Sequence, residues 1–172
     1  MPLARSTEAI PLSPEKMGPP PVQTASSGRL NPDGIQCLYV ALEEDTAVAE
    51  VRPWTGARLT VAEFRTKDEL EVVDMTGWDT RSAATLNYRQ QLLSLLVGRP
   101  VHREDRWGYL GTQYLAEALK AKGATGLLYD SSLRQSGSNL AIFATLTFVE
   151  AKTKLVDVYS VSYGYGPPPA MR

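Results

Sequence analysis

Short apolar segments recur along this chain at the spacings typical of strands and of helix faces. The run LTVAEF at 59–64 alternates apolar and polar positions like a half-buried strand, and LEVVDM at 70–75 offers a second such segment. A third apolar run, 35–41, follows the turn signal Asn-Pro-Asp-Gly. Later strands are predicted at 126–129, 139–146 and 155–163.

Helix signals lie between these strands. Three helices are predicted, at 45–52, from 80 or 82 to 97, and at 109–122. The second is capped by Thr80 or Ser82 and stopped by Gly-Arg-Pro at 98–100, and the third stops at Gly123. The apolar face of the third helix is predicted to consist of Tyr114, Leu115, Ala118 and Leu119. Neighbouring strands with inserted helices favour an α+β fold over a doubly wound parallel sheet.

Composition favours one folded domain. The chain has 172 residues, of which 43% are hydrophobic and 22% charged, enough for a single core. Residues 1–27 carry six prolines, which favours an extended lead-in along the domain surface. The domain proper is predicted at 28–164, followed by a proline-containing tail at 165–172. This start and tail are also compatible with a domain excised from a longer protein.

Charge and hydropathy exclude several classes of partner. The net charge is −1, and the densest basic stretch is 99–106, so a nucleic-acid-binding face is not expected. No apolar run approaches the roughly 18 residues of a membrane span, and Met1 is followed by Pro2 instead of a signal-peptide core. We therefore expect a soluble protein, and a cytoplasmic location is compatible with the single cysteine, Cys37, predicted to be a buried thiol.

The supply of reactive side chains excludes several common chemistries. His102 is the sole histidine, so a histidine-based zinc site and a Ser-His-Asp triad lack residues, and no metal site is predicted. Neither GxGxxG nor GxxxxGK[ST] occurs, which removes sequence support for a Rossmann or P-loop nucleotide site.

The segment 28–53, GRLNPDGIQCLYVALEEDTAVAEVRP, carries the clearest candidate chemistry. Arg29 precedes Tyr39 by ten residues, and Tyr39 precedes Glu50 by eleven. The predicted elements place the cation on a loop, the aromatic ring on a strand and the carboxylate on a helix. Such a trio could converge on one cleft and suits a ligand with anionic phosphates beside a cationic ring and a ribose.

This segment resembles the opening motif of the RES domain, a toxin domain named for its Arg, Glu and Ser. Two later segments resemble the second half of that family's pattern. One is RWGYLGTQYLAEAL with Tyr109 and Gln113, and the other is GLLYDSSLRQSGSNLAIF with Tyr129, Ser131, Ser132 and Asn139. The resemblance covers about residues 28–145, and its start can be placed as early as Arg5.

The resemblance implies a fold like that of ADP-ribosyltransferases, with a mixed or antiparallel sheet and inserted helices. It also implies a toxin that attacks NAD by phosphorolysis or hydrolysis, or in some members transfers ADP-ribose to a protein. NAD would be a substrate, with inorganic phosphate as co-substrate, and no cofactor would be bound permanently. A helix-turn-helix antitoxin would cover the cleft in the cytoplasm, and a homo-oligomer is compatible with the pattern.

Four residues are the leading catalytic candidates: Arg29, Tyr39, Glu50 and Ser131. Glu50 would stabilise positive charge on the ribose, and Arg29 would pair with the pyrophosphate through its planar guanidinium. Tyr39 would stack on nicotinamide or contact ribose, although a strand tyrosine is otherwise a core residue. Ser131 would bond the carboxamide or ribose, unless it bonds its own backbone or Ser132 is the true match.

A second set of residues is assigned weaker roles in binding the substrate. An extra cation near the ribose, needed for phosphate, could come from Arg52, Arg5 or Arg134. The second set consists of Arg5, Asn31, Arg52, Gln113, Ser132 and Asn139.

Two other functions fit the same residues. In a protein ADP-ribosyltransferase the cleft would deliver ADP-ribose to a partner's side chain. In a non-catalytic nucleotide-binding or interaction module, Arg29, Tyr39 and Glu50 would be relics.

Overall fold

The computed structural model describes residues 2–6, 10–67, 69–77, 106–143 and 148–162. The predicted helix between 80 and 97, His102 and the 165–172 tail lie outside the described residues. The strands are β1 (Pro2–Ser6), β2 (Leu38–Ala41), β3 (Arg58–Thr66), β4 (Val72–Asp74), β5 (Gly126–Asp130), β6 (Ser138–Ile142) and β7 (Phe148–Asp157). The α-helices are α1 (Pro14–Met17), α2 (Glu44–Glu50) and α3 (Leu110–Lys120), with 3-10 turns at Val22–Thr24 and Arg106–Tyr109.

The described strands form two sheets. One is antiparallel with the order β1-β3-β7, and the other has the order β2-β6-β5-β4. In the second sheet, β4 runs parallel to β5 while the other pairs are antiparallel. The prediction of an α+β fold is confirmed.

Helix α2 packs against the three-stranded sheet, and α3 packs on one face of the four-stranded sheet. Ala47 of α2 shares a cluster with Leu59 and Val61 of β3. Leu115 and Leu119 of α3 pack against a second cluster, whose buried members include Leu30, Cys37, Leu127 and Tyr129. The prediction of a buried Cys37 is thereby confirmed.

Several predicted helix and strand ends differ from those in the structure. Helix α2 ends at Glu50, before 52, because Arg52 adopts a left-handed φ of 49° and Pro53 disfavours helical backbone ahead of it. The last strand occupies 148–157, earlier than the predicted 155–163, in register with β3. Strand β6 ends at Ile142, before the predicted 146.

The predicted apolar face of α3 was wrong at Tyr114, which is exposed. The helix buries Thr112, Gln113 and Ala116 instead. Polar residues occupy that face because they bond to a loop beneath the helix, which apolar periodicity does not reveal.

Strand β3 does not alternate in burial as predicted, because both of its faces are covered. Leu59 and Val61 face α2, while Ala62 and Phe64 pack with Met17 of α1. The proline-rich start of the chain, described at 2–6 and 10–27, contacts this strand. It supplies β1 as a neighbour of β3, and the side chain of Met17 is buried completely.

Candidate active site

Arg29 lies in a tight turn closed by Gly28 and Asn31. The Gly28 amide donates to the Asn31 carbonyl at 2.8 Å, and the two residues form an isolated β-bridge. Leu30, the other residue of the turn, is only 1% exposed and belongs to the core cluster under α3. The buried leucine anchors the turn and fixes the backbone of Arg29.

The side chains of Asn31 and Tyr39 hold this turn from within. Asn31 Nδ2 donates to the carbonyls of Ser26, Pro32 and Ile35, and Asn31 Oδ1 accepts a 2.8 Å bond from the Tyr39 hydroxyl. The same hydroxyl accepts the Leu30 amide at 2.9 Å. Burial raises the pKa of Tyr39 far above its usual value, so its hydroxyl stays neutral. The polar atoms of both residues are thus engaged by the turn.

Helix α3 holds the turn from the other side. Gln113 Nε2 lies 2.9 Å from Ser27 Oγ, 2.9 Å from the Gly28 carbonyl and 3.1 Å from the Asn31 carbonyl. The Thr112 hydroxyl contacts the carbonyl of Arg29. Two predicted substrate-binding residues, Gln113 and Asn31, therefore bond to the loop that carries Arg29.

Glu50 is the last residue of α2, and its carboxylate is held through one oxygen. Ser131 Oγ donates to Glu50 Oε1 at 2.8 Å, and Asn139 Nδ2 donates to the same atom at 2.6 Å. Among the described residues, no donor reaches Oε2. The carboxylate is exposed yet fixed in direction by the two bonds to Oε1.

The orientation of the Ser131 hydroxyl follows from its three bonds. Ser131 Oγ accepts the amides of Leu133 and Arg134, both at 3.1 Å. Because these amides occupy its lone pairs, its hydrogen points toward Glu50. Ser132 is exposed and makes no contact with Glu50 in the described part of the chain.

Two tyrosines interact with the charge of Arg29. The Arg29 guanidinium carbon lies 5.8 Å from the ring centroid of Tyr109, within cation–π range. Tyr129 is buried, and desolvation raises its pKa. The positive charge of Arg29 opposes this rise in pKa, whereas the negative charge of Glu50 adds to it. The pKa of Tyr129 is therefore affected by both charges. Tyr109 and Tyr129 were assigned no role from the sequence, although both stand in its motifs.

The RES domain family matches this chain over residues 5–163. The protein belongs to the RES domain family. Among solved structures, this RES domain is similar to the crystal structure of the M. tuberculosis MbcT–MbcA toxin–antitoxin complex, at 17% identity and a TM-score of 0.44. The match covers 89% of this chain and 82% of that one. No curated protein matches the sequence.

Two of the candidate residues, Glu50 and Ser131, come from a helix end and a loop that the fold brings together. The loop that begins at Ser131 is fastened to the start of α2. Arg134 pairs with Asp45 at 2.7 Å, and Glu43 Oε2 accepts the Ser138 amide at 3.0 Å. Both ends of α2 are thus bonded to 131–139, which keeps Glu50 beside Ser131.

The three candidate phosphate-binding cations have different surroundings. Arg134 is engaged by Asp45, whereas Arg52 is exposed two residues beyond Glu50. Arg5 lies in β1 opposite Thr60, in the three-stranded sheet. Across the described residues, no cluster of His, Cys, Asp or Glu suits a metal ion, and no helix has the length and hydropathy to cross a membrane.

Proposed function

We propose that this RES domain cleaves NAD at the bond between nicotinamide and ribose. The observation that carries the proposal is the exposed Glu50 carboxylate, fixed by Ser131 and Asn139 through one oxygen. A negative charge held in a defined direction is what a reaction that develops positive charge on a sugar requires.

The chemistry needs few acid–base groups. Nicotinamide in NAD is already cationic, so its nitrogen takes the electron pair of the breaking bond and leaves as a neutral molecule without a proton donor. Positive charge then develops on the ribose ring, and Glu50 stabilises it. Bound substrate displaces water from the exposed carboxylate, which strengthens this interaction.

Arg29 provides the charge for the phosphates of NAD. Its turn is fixed by Asn31, Tyr39 and Gln113, so the guanidinium is presented from a preordered backbone. Little conformational freedom would then be lost when a pyrophosphate binds.

Inorganic phosphate is the proposed acceptor, with water as the alternative. Phosphate attacks the ribose carbon as nicotinamide departs and gives phosphorylated ADP-ribose. A nearby cation would hold it, and we propose Arg52, which is exposed two residues beyond Glu50, whereas Arg134 pairs with Asp45.

The deciding experiment resolves the products of NAD incubated with the purified chain, with and without phosphate. Phosphorylated ADP-ribose that appears only with phosphate supports the proposal, and free ADP-ribose indicates a hydrolase. Labelled protein indicates an ADP-ribosyltransferase. Tight NAD binding with no product in either buffer contradicts catalysis and supports a binding module.

An enzyme of this kind would deplete the NAD of its own cell, so we propose that it acts as a cytoplasmic toxin restrained by an antitoxin with a helix-turn-helix domain. Expression of the chain alone should lower cellular NAD and stop growth, and a co-expressed antitoxin should restore growth. Unchanged growth and NAD would contradict the toxin proposal.

A further inference from the structure

Thr112 joins the two partners of the cation–π pair through their backbones. Its side chain lies on the first turn of α3 and is 1% exposed. The hydroxyl is 2.9 Å from the Tyr109 carbonyl and also contacts the Arg29 carbonyl. Arg29 and Tyr109 are the residues whose side chains stack at 5.8 Å. One buried hydroxyl therefore touches the main chain of both.

We propose that Thr112 is a positioning residue for substrate capture, which sets Arg29 over Tyr109; this rests on the proposed function. A hydroxyl has one hydrogen, so Thr112 shares it between two carbonyl oxygens of segments far apart in sequence. Its loss would leave the Arg29 turn and the start of α3 without this connection.

The neighbouring bonds define what Thr112 adds. Gln113 reaches the carbonyls of Gly28 and Asn31, the two residues that close the turn. Those bonds hold the ends of the turn, whereas Thr112 contacts Arg29 itself. Thr112 therefore holds the backbone from which the Arg29 side chain extends, whereas Gln113 holds the two ends of the turn.

The test compares Thr112→Val with Thr112→Ser. Valine keeps the shape but lacks the hydroxyl, while serine keeps the hydroxyl. We expect Thr112→Val to raise the KM for NAD about tenfold with kcat changed less than about threefold, since Glu50 is untouched, and Thr112→Ser to restore most of the KM. These magnitudes correspond to the loss of one well-placed contact.

A matched control separates positioning from general stability. Thr125 also donates a side-chain bond to a distant carbonyl, that of Glu71 at 3.0 Å. Thr125→Val should lower Tm without changing the KM for NAD. If Thr125→Val raises the KM as much as Thr112→Val does, the effect is general destabilisation and the proposal is wrong.

A second measurement does not depend on catalysis. The Nε–Hε NMR signal of Arg29 can be assigned by its loss in Arg29→Lys, and the Tyr109 ring should shift it upfield. In Thr112→Val the signal should move toward that of an exposed arginine, whereas in Thr112→Ser it should not move. If the wild-type protein neither binds nor cleaves NAD, the proposed function fails and this signal still decides the role of Thr112. An unchanged signal and KM in Thr112→Val would overturn the inference. If Thr112→Val does not fold, Thr112→Cys replaces it, because a thiol is a weaker donor than a hydroxyl. The Arg29 signal of Thr112→Cys should then lie between those of the wild type and of an exposed arginine, and a wild-type signal in this variant would also overturn the inference.

Discussion

Asn139 Nδ2 donates a 2.6 Å hydrogen bond to Glu50 Oε1 and so ties the last residue of α2 to strand β6. Asn139 is paired on one side with Ala41 of β2 and on the other with Tyr129 of β5, so it stands inside the sheet. A seven-residue helix is marginal by itself, and its end would fray in water. The bond from a buried asparagine gives the Glu50 carboxylate a fixed position relative to Tyr129.

Replacing Glu50 with glutamine should separate catalysis from binding. Glutamine keeps an oxygen that can accept from Ser131 and Asn139 but removes the negative charge. Turnover of NAD should fall about a hundredfold to a thousandfold with little change in affinity, as measured by steady-state kinetics and calorimetry.

Glu44→Gln is the matched control, because Glu44 forms an exposed pair with Lys154. Glu43 is unsuitable, since it bonds Thr46 and the Ser138 amide. Full activity in Glu50→Gln would place the catalytic charge elsewhere.

Removing the Arg29 guanidinium should weaken substrate capture. A charge-assisted contact to phosphate is worth about 1.5–3 kcal/mol, so Arg29→Ala should bind NAD about tenfold more weakly or worse while remaining folded. Arg29→Lys should recover only part of the affinity, because an ammonium cannot form the planar double contact. Arg65→Ala, an exposed position on β3, should behave like the wild type. Normal NAD kinetics in a folded Arg29→Ala variant would exclude this residue from the site.

Ser131 and Ser132 should differ sharply although they are adjacent. Ser131→Ala removes a donor to Glu50 and the acceptor of two loop amides, so we expect turnover to fall about tenfold. Ser132→Ala should retain nearly full activity because that side chain is exposed. Kinetics of both variants at equal folded fraction check the difference. A larger loss in Ser132→Ala would mean that the family's serine is Ser132.

Met17 should contribute to stability as a core residue does. Its side chain is 0% exposed against Ala62 and Phe64, so Met17→Ala should lower the free energy of unfolding by about 2–5 kcal/mol. Val22→Ala, at a half-exposed position, should lower it by less than about 0.5 kcal/mol. Denaturant titration measures both. Equal stability of the two variants would mean that residues 10–27 do not belong to the folded core.

Cys37 should make the protein less stable at alkaline pH. Burial raises the pKa of its thiol to about 11, above the value of about 8.5 in an unfolded chain. The folded state therefore keeps the proton that the unfolded state loses, and this contribution to stability declines as pH rises from about 8.5 through 11. Unfolding curves at pH 8, 9.5 and 10.5 should show a smaller decline in Cys37→Ala than in the wild type. An identical decline would assign the alkaline destabilisation to other groups.

The sequence by itself determined most of the local elements and supplied the candidate residues of the site. Apolar segments bounded by turn residues placed β3, β5 and the body of α3, although burial does not alternate along β3 and Tyr114 of α3 is exposed. Resemblance to the RES domain motif selected Arg29, Glu50 and Ser131 as candidates, because these side chains stand in the matching segments. The same local information could not decide between Ser131 and Ser132, which differ only in the direction they face.

Tertiary structure decided what each polar residue contacts. Asn31, Tyr39 and Gln113 read as ligand-binding residues in the sequence, but their polar atoms bond to the turn that carries Arg29. Polar groups that are removed from water need hydrogen-bond partners. For Gln113, those partners lie in a segment more than 80 residues away in sequence. Tertiary structure likewise decided that both faces of β3 are covered. The segments that lie over a strand are set by packing between elements, and the strand's own sequence pattern does not show them.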